Sequence, residues 1–179
     1  AATVSRRVIG CRTIWKWAAH ASRGFVASNP FAEIKAGQQT NEKRKAYVDA
    51  RTIDRLLEKA KPDMAMRLVL ARYEGFRIPS ETLALNWEDI DFDRNLIKVQ
   101  SVKTEHHGEA HATRVIPLFA EARAVLQKHR KDKGPVMADR RGEGIWKALS
   151  DLCDRCGVEQ WPKLWHNLRA SCQTDLSKT

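Results

Sequence analysis

The sequence predicts an α+β protein that is mainly α-helical and has a small antiparallel β-sheet. Over most of the 179 residues, apolar side chains recur at intervals of three and four, which is the spacing of amphipathic helices. Two neighbouring runs, residues 96–100 and 113–116, are instead rich in β-branched residues and are separated by a polar segment. The hydrophobic content of 42% is enough to build a packed core, so we expect helices to outnumber strands around it.

The first element is a basic amphipathic helix that runs from Val4 to about Ser22. Its apolar residues recur at helical spacing and are Val4, Val8, Ile9, Cys11, Ile14, Trp15 and Ala18. Gly24 and Asn29-Pro30 stop the helix, and the residues that follow are polar and charged without a period. Because one helix cannot bury an apolar stripe by itself, we expect residues 1–34 to be the remnant of a helical domain. A linker over 35–46 then joins it to a second domain over 47–179.

The second domain is predicted to contain six helices and one β-hairpin. Capping residues and apolar spacing predict helices at 52–59, 62–73, a short stretch from 80, 119–131, 145–156 and from about 166 onward. Thr52 and Ser80 are the predicted caps of the first and third of these helices, and Gly75 and Gly157 follow the second and fifth. The hairpin has its tip at His106-His107-Gly108, and residues 135–137 are a predicted short strand.

The charge of the chain favours a polyanionic partner. The formal net charge is +10, and each phosphate that Lys or Arg neutralises releases condensed counterions, so nucleic acid is the leading candidate. A solvated basic surface and an acidic membrane surface are the alternatives. No apolar run approaches the roughly 18 residues that a bilayer span requires, and no signal peptide is recognisable. We therefore expect a cytoplasmic, nucleoid-associated protein whose four cysteines are reduced.

Two short motifs carry the residue types that hold a phosphodiester. Arg77 follows Gly75-Phe76, and Arg169 ends the run His166-Asn167-Leu168-Arg169. Planar guanidinium groups bind phosphate oxygens through paired hydrogen bonds, and a histidine can move a proton. Each motif also has a simpler interpretation, because Arg77 with Glu81, and His166 with Arg169, could be ordinary ion or surface pairs on helices.

Taken together, the motifs resemble those of the tyrosine recombinases, the phage integrase family. They are, in order, Gly75-Phe76-Arg77 with Ser80-Glu81, Leu85 to Asp91, Lys103-Thr104, Arg114 to Leu118, and His166 to Arg169. On this resemblance residues 35–176 are similar to the catalytic domain of the family, and residues 1–34 are similar to the last helix of its helical core-binding domain. The order and spacing of the motifs are more specific than any one of them.

The resemblance implies a reaction in which a tyrosine attacks a DNA phosphate and leaves a 3′-phosphotyrosyl link and a free 5′-hydroxyl. No metal or other cofactor is implied. Arg77 and Arg169 would hold the non-bridging oxygens of the phosphate, and His166 would bind the phosphate and assist proton movement. Glu81 would orient Arg77 without touching the substrate.

Lys103, in the predicted hairpin, would be the general acid that gives a proton to the leaving 5′-oxygen. Lys98 or Arg114 could take its place if the register of the hairpin differs. The basic residues of the first helix and the linker are the candidate contacts to the DNA backbone, and they are Arg6, Arg7, Arg12, Lys16, Arg44 and Lys45.

No tyrosine follows Arg169 within the 179 residues, and Tyr47 and Tyr73 both precede Arg77. We therefore expect these residues to bind double-stranded DNA without cleaving it, as a monomer, and to belong to a longer recombinase that acts as a homo-tetramer on DNA. The alternative is a catalytically inactive DNA-binding regulator. A metal-dependent nuclease is disfavoured because no acidic cluster supplies the ligands for two metal ions.

A zinc site is a competing interpretation of the cysteines. Cys153 and Cys156 form a C-x-x-C pair, and His166 and Cys172 follow. The cysteines of the pair nevertheless continue the helical spacing of Ile145, Leu149 and Leu152, so the sequence favours buried thiols. Likewise His106, His107 and His111 are expected to lie in a solvated hairpin loop and not in a metal site.

Overall fold

The protein divides into two compact units, residues 1–45 and residues 46–179. The computed structural model describes residues 2–37, 41–100, 113–139, 142 and 144–178. Seven α-helices, two 3₁₀ turns and a three-stranded antiparallel sheet make up the described elements, which confirms the predicted fold class. Within these ranges, no helix combines the length and the apolar character that crossing a membrane would need.

The first unit is built on helix α1, Ala2–Ala18, which ends earlier than Ser22 because the chain turns at His20 and Gly24. Trp15 packs on Phe31 with 6.2 Å between the ring centroids. Much of the predicted apolar stripe is nevertheless exposed, as the 67% exposure of Ile14 illustrates. In the described part of the segment predicted as a linker, residues Glu42–Arg44 form a 3₁₀ turn.

Helices α2 and α3 open the second unit. Helix α2 is Ala50–Leu57, and its cap is Asp49, whose carboxylate accepts a hydrogen bond from the Thr52 N–H at 2.7 Å. The prediction that Thr52 caps this helix is therefore wrong: Thr52 supplies the capped N–H. Helix α3 is Pro62–Arg72, and every residue from Ala65 to Arg72 is buried, so this helix passes through the middle of the unit.

Helix α4, Ser80–Ala84, follows α3 closely. Its cap position is occupied by Pro79, and Ser80 is already helical, so the prediction that Ser80 caps the helix is also wrong. Between the two helices, Gly75 has a φ of +65°, a left-handed conformation that glycine adopts without the steric cost other residues meet.

The sheet contains β1, Ile90–Asp91, β2, Leu96–Gln100, and β3, Thr113–Pro117, in the order β1-β2-β3. The β2–β3 pairing confirms the predicted hairpin strands, whereas its predicted tip at 106–108 lies outside the described residues. Strand β1 is an addition to the prediction. The strand predicted at 135–137 is wrong, because there the chain forms only an isolated bridge between Asn86 and Pro135.

The remaining helices complete two apolar clusters that meet at α3. They are α5, Ala120–Lys128, α6, Ile145–Cys156, and α7, Leu164–Leu176. One cluster joins α3 to the sheet and α5 through Leu70, Ile97 and Leu126. The other joins α3 to α2, α6 and α7 and includes Leu68 and Leu168. Helix α3 thus holds the sheet on one side and α7 on the other.

Candidate functional site

Arg77 lies in the segment between α3 and α4, and the backbone of this segment is fixed on both sides of it. The N–H of Phe76 donates to the Leu70 carbonyl at 3.0 Å, and the Phe76 ring is buried in the core. The Arg77 carbonyl accepts from the N–H of Glu81 at 3.0 Å. The Arg77 side chain is 36% exposed, so its guanidinium group extends from a rigid base to the surface.

Glu81, in the first turn of α4, binds Arg77 at two points. Its Oε1 accepts from Nη1 of Arg77 at 2.7 Å, and its Oε2 accepts from the Arg77 backbone N–H at 2.8 Å. The Glu81 side chain is only 1% exposed, unlike the carboxylate of an ordinary surface pair. This is the geometry expected of a residue that orients Arg77.

Arg114 on β3 binds both oxygens of the same carboxylate. Its Nη1 and Nη2 donate to Oε1 and Oε2 of Glu81 at 2.9 and 2.8 Å, a paired arrangement. From the sequence, Arg114 is predicted as part of a family motif and as a substitute for Lys103, but not as a partner of Glu81. A signal was present: Arg114 alternates with Ile116 on the partly buried face of β3, and a charge on such a face requires a partner.

The two arginines keep Glu81 ionised. Burial alone would raise the pKa of Glu81, but the hydrogen bonds from Arg114 and from the Arg77 backbone outweigh it, so the pKa is lowered. The carboxylate therefore carries its charge while it holds two guanidinium groups.

Helix α7, which carries His166 and Arg169, is fixed by buried polar contacts. Asn167 is buried, and its Nδ2 donates to the Pro162 carbonyl at 2.6 Å. Ser171 donates to the Asn167 carbonyl at 2.8 Å and accepts from the Val48 N–H at 2.9 Å. The bond between Val48 and Ser171 ties α7 to the segment before α2, two residues along the helix from Arg169.

Arg169 lies within electrostatic reach of Arg77, Arg114 and Glu81. Burial and then repulsion from Arg77 lower the pKa of Arg169, while Glu81 opposes the shift. Its Nη1 is buried and has no hydrogen-bond partner among the described residues. His166, three residues earlier on the same face of α7, is exposed. The arrangement combines three guanidinium groups, one carboxylate and a buried donor that an anion could satisfy.

Of the basic and histidine residues considered in the predicted hairpin, some lie outside the described residues, whereas Lys98 is described. Lys103 lies outside the described residues, as do His106, His107 and His111. Lys98 pairs with Val115 on the exposed face of the sheet, opposite to the face that Arg114 shares with Val99. Lys98 therefore does not join the cluster around Glu81.

The hydroxyl group of Tyr47 is hydrogen-bonded to a residue outside the cluster of Arg77, Glu81 and Arg114. It donates to Oδ1 of Asp175 at 2.8 Å, and this hydrogen bond raises the pKa of Tyr47. Tyr73 is half-buried, and burial raises the pKa of its phenol as well. Neither tyrosine lies in the environment of an activated nucleophile, which would lower the phenol pKa.

All six candidate DNA contacts lie in the first unit. Arg6, Arg7, Lys16, Arg44 and Lys45 are exposed, and Lys45 pairs with Glu42 at 2.9 Å. Arg12 is half-buried and donates to the Ala32 carbonyl at 3.2 Å.

The cysteines are all free thiols. Cys153 is buried in the core, which confirms that prediction, and burial raises its pKa to about 11; Cys156 is half-buried. The buried Cys172 thiol donates to the Tyr73 carbonyl at 3.1 Å and packs beside Gly75. Over the described parts of the chain, no three His, Cys, Asp or Glu side chains converge as metal ligands would.

Similarity to known proteins identifies the family of the chain. The sequence profile of the phage integrase family matches residues 46–179, and the chain belongs to that family. Among its relatives, the tyrosine recombinase XerC of Xanthomonas axonopodis pv. citri (strain 306) is 30% identical over 139 residues, which are 75% of this chain and 42% of the relative. XerC of Xanthomonas campestris pv. campestris (strain B100) is 28% identical over 137 residues. The chain thus spans about two fifths of the length of these relatives.

Solved structures of integrases have the same fold. The Tn1549 transposon integrase in complex with transposon right end DNA aligns with a TM-score of 0.72 at 17% identity, covering 98% of this chain and 66% of that one. Lambda integrase bound to DNA aligns with a TM-score of 0.69 at 16% identity, covering 97% and 64%. At these identities the likeness concerns the fold alone.

Proposed function

We propose that the chain is part of a site-specific DNA recombinase in which Arg77 and Arg169 hold one DNA phosphate. The observation that carries this proposal is the buried, unpartnered Nη1 of Arg169 beside the Arg77–Glu81–Arg114 cluster, as far as the described residues show. An unsatisfied buried N–H costs about 1–3 kcal/mol, so its presence favours a site that a ligand completes. A phosphate oxygen is an acceptor suited to a guanidinium group.

The chemistry assigned to the site follows from the charge that develops on an attacked phosphodiester. Two guanidinium groups would stabilise the charge on the non-bridging oxygens, and Glu81 would keep Arg77 aimed at them. Lys103 would protonate the leaving 5′-oxygen, and His166 would assist the proton movement and contact the phosphate. The nucleophile would be a tyrosine that forms a 3′-phosphotyrosyl intermediate.

Residues 1–179 contain no tyrosine beyond Arg169, and the hydroxyl of Tyr47 donates a hydrogen bond to Asp175. We propose that these residues bind DNA but do not cleave it by themselves. The DNA acted on would be that of a phage or another mobile element.

The proposed partners are double-stranded DNA and further copies of the same protein. Integrases of this fold have been solved as a lambda integrase dimer bound to a COC′ core site and as a tetramer bound to a Holliday junction. We propose a tetramer of the complete protein on DNA, a monomer of residues 1–179, and a location with the nucleoid. Light scattering of residues 1–179 should give the mass of one chain, and a stable dimer would contradict the monomer.

Binding of residues 1–179 to a labelled DNA duplex tests the phosphate site. Arg169→Ala should weaken binding about tenfold or more, because hydrogen bonds between charged groups contribute about 1.5–3 kcal/mol each. Lys147→Ala is the matched control, since Lys147 pairs with Asp151 on the exposed surface of α6. Wild-type affinity should also fall steeply with salt. Equal affinities of Arg169→Ala and wild type would refute the site.

Covalent capture separates the recombinase from the alternative, an inactive DNA-binding regulator. The polypeptide of the complete reading frame should form an adduct with a nicked suicide substrate. A protein that binds the substrate tightly and forms no adduct would be the regulator.

A further inference from the structure

We propose that Arg114 is a positioning residue that aligns Arg77 for phosphate binding by sharing the Glu81 carboxylate and that also anchors the hairpin strand β3 to α4. This inference rests on the proposed function of Arg77. Arg114 would not itself contact the DNA phosphate; its effect would pass through Glu81.

The first support is the division of the carboxylate between the two arginines. Each oxygen of Glu81 accepts one hydrogen bond from Arg77 and one from Arg114, all of them between 2.7 and 2.9 Å. The Arg77 bonds come from its backbone N–H and from one guanidinium nitrogen, whereas both Arg114 bonds come from the guanidinium. The paired hydrogen bonds from Arg114 therefore fix the orientation of the carboxylate, and the same carboxylate binds Arg77.

The second support is the charge of the site. Arg77, Arg114 and Arg169 contribute three positive charges and Glu81 one negative charge, a sum of +2. Without Arg114 the sum would be +1, and the buried carboxylate would be left to Arg77 alone. Arg77 would then be neutralised by Glu81 instead of presenting its charge to a phosphate. Arg114 thus lets Glu81 orient Arg77 without cancelling it.

The third support is the position of Arg114 in the hairpin. It is the second residue of β3, directly opposite Val99 of β2, so it lies where the two described strands lead into residues 101–112. That segment includes Lys103, which lies outside the described residues. Because Arg114 ties β3 to α4, it fixes the stem of the hairpin relative to Arg77.

The geometry also argues against Arg114 as the general acid. Its two terminal nitrogens both donate to Glu81, and a guanidinium group keeps its proton throughout the accessible pH range. Arg114 is suited to holding a carboxylate and poorly suited to releasing a proton.

A double-mutant cycle on DNA binding by residues 1–179 tests this inference without requiring cleavage. Arg77→Ala should weaken duplex binding by about tenfold in the wild-type background and by less than threefold in an Arg114→Ala background, because Arg77 is misaligned there. Arg114→Lys should behave like Arg114→Ala, since lysine keeps the charge but lacks the paired donors. Equal effects of Arg77→Ala in both backgrounds would overturn the inference.

Arg94→Ala is the control for the loss of one positive charge. Arg94 is 80% exposed and lies between β1 and β2, 3.8 Å from Asp91. In this background Arg77→Ala should keep its full tenfold effect. Circular dichroism of every variant should show the wild-type helix content, and Arg114→Lys gives a second, less disruptive variant if Arg114→Ala unfolds.

The pH dependence of adduct formation by the polypeptide of the complete reading frame provides a further readout. Removing Arg114 should allow Glu81 to take up a proton at higher pH, so the acid limb of the rate profile should move to higher pH. An unmoved acid limb would contradict the positioning role. If wild type forms no adduct, the proposed recombinase activity fails, and the DNA-binding cycle still decides the role of Arg114.

Discussion

The guanidinium group of Arg72, at the end of α3, lies 2.6 Å from the carboxylate of Asp175 on α7. Arg72 is buried and also donates to the Val48 carbonyl at 2.7 Å. This ion pair connects the helix that precedes Arg77 to the helix that carries Arg169. The distance between Arg77 and Arg169 therefore depends on a contact that neither of them makes.

Asp175→Asn should destabilise the protein by about 1–3 kcal/mol, because it leaves the buried Arg72 charge without its counter-ion. Urea unfolding followed by circular dichroism measures the change. The control is Lys147→Ala, which breaks the exposed pair with Asp151 and should change the stability by less than about 1 kcal/mol. Equal, small effects of both substitutions would show that the Arg72–Asp175 pair does not fix α7.

Glu81→Ala should destabilise the second unit by about 3–5 kcal/mol, since it leaves two partly buried guanidinium groups facing each other without their carboxylate. Urea unfolding again gives the size of the loss. Asp151→Ala removes an exposed carboxylate and should be close to neutral. A Glu81→Ala protein as stable as Asp151→Ala would mean that the shared carboxylate contributes nothing to folding.

Glu74 should make the stability depend on pH. Burial raises the pKa of Glu74 to about 8, and its Oε1 accepts from the Phe119 N–H at 2.9 Å, while its Oε2 is buried without a partner in the described structure. The unfolded chain loses this proton near pH 4.3 and the folded chain keeps it to about 8, so stability falls as the pH rises between these values.

The measurement for Glu74 is the stability difference between wild type and Glu74→Gln across pH. Wild type should lose about 1.4 kcal/mol per pH unit relative to Glu74→Gln between about pH 5.5 and 7, because glutamine keeps the acceptor for Phe119 and does not ionise. A pH-independent difference would show that folded Glu74 ionises at its ordinary pKa.

Gly75→Ala should destabilise the protein by about 1–2 kcal/mol, because the φ of +65° at this position is unfavourable for alanine. It should also weaken DNA binding, since Gly75 directs the chain toward Arg77. Gly10→Ala is the matched control: Gly10 lies inside α1 with no atom within 4 Å of an added Cβ, and alanine there should stabilise the helix. The reverse order of stabilities in thermal unfolding would contradict this reading of the turn.

Helical spacing and terminal glycines were sufficient to predict several elements. Helix α6 has the predicted bounds, because Leu149, Leu152 and Cys153 recur on its buried face and Gly157 follows it in a left-handed conformation. Strand β1 could not be predicted in the same way. Its two residues are too few to establish a period, and it exists because β2 offers them a pairing edge.

Only the local motifs of the site could be predicted, because its other contacts join residues that are far apart in the sequence. The motifs of Arg77 and Arg169 are local, so a family resemblance can locate them. The link between Glu81 and Arg114 joins residues 33 positions apart and depends on the sheet packing beside α4. The wrong cap at Thr52 has a local cause, since both Asp49 and Thr52 are good capping residues and the chain uses the earlier one.

Covalent capture by the polypeptide of the complete reading frame tests most directly whether Arg77 and Arg169 form a catalytic phosphate site. Wild type and Lys147→Ala should both accumulate a DNA adduct on a nicked suicide substrate, while Arg77→Ala and Arg169→Ala should reduce the rate of its formation by about a hundredfold or more. An Arg77→Ala or Arg169→Ala protein that forms the adduct as fast as wild type would contradict the assignment.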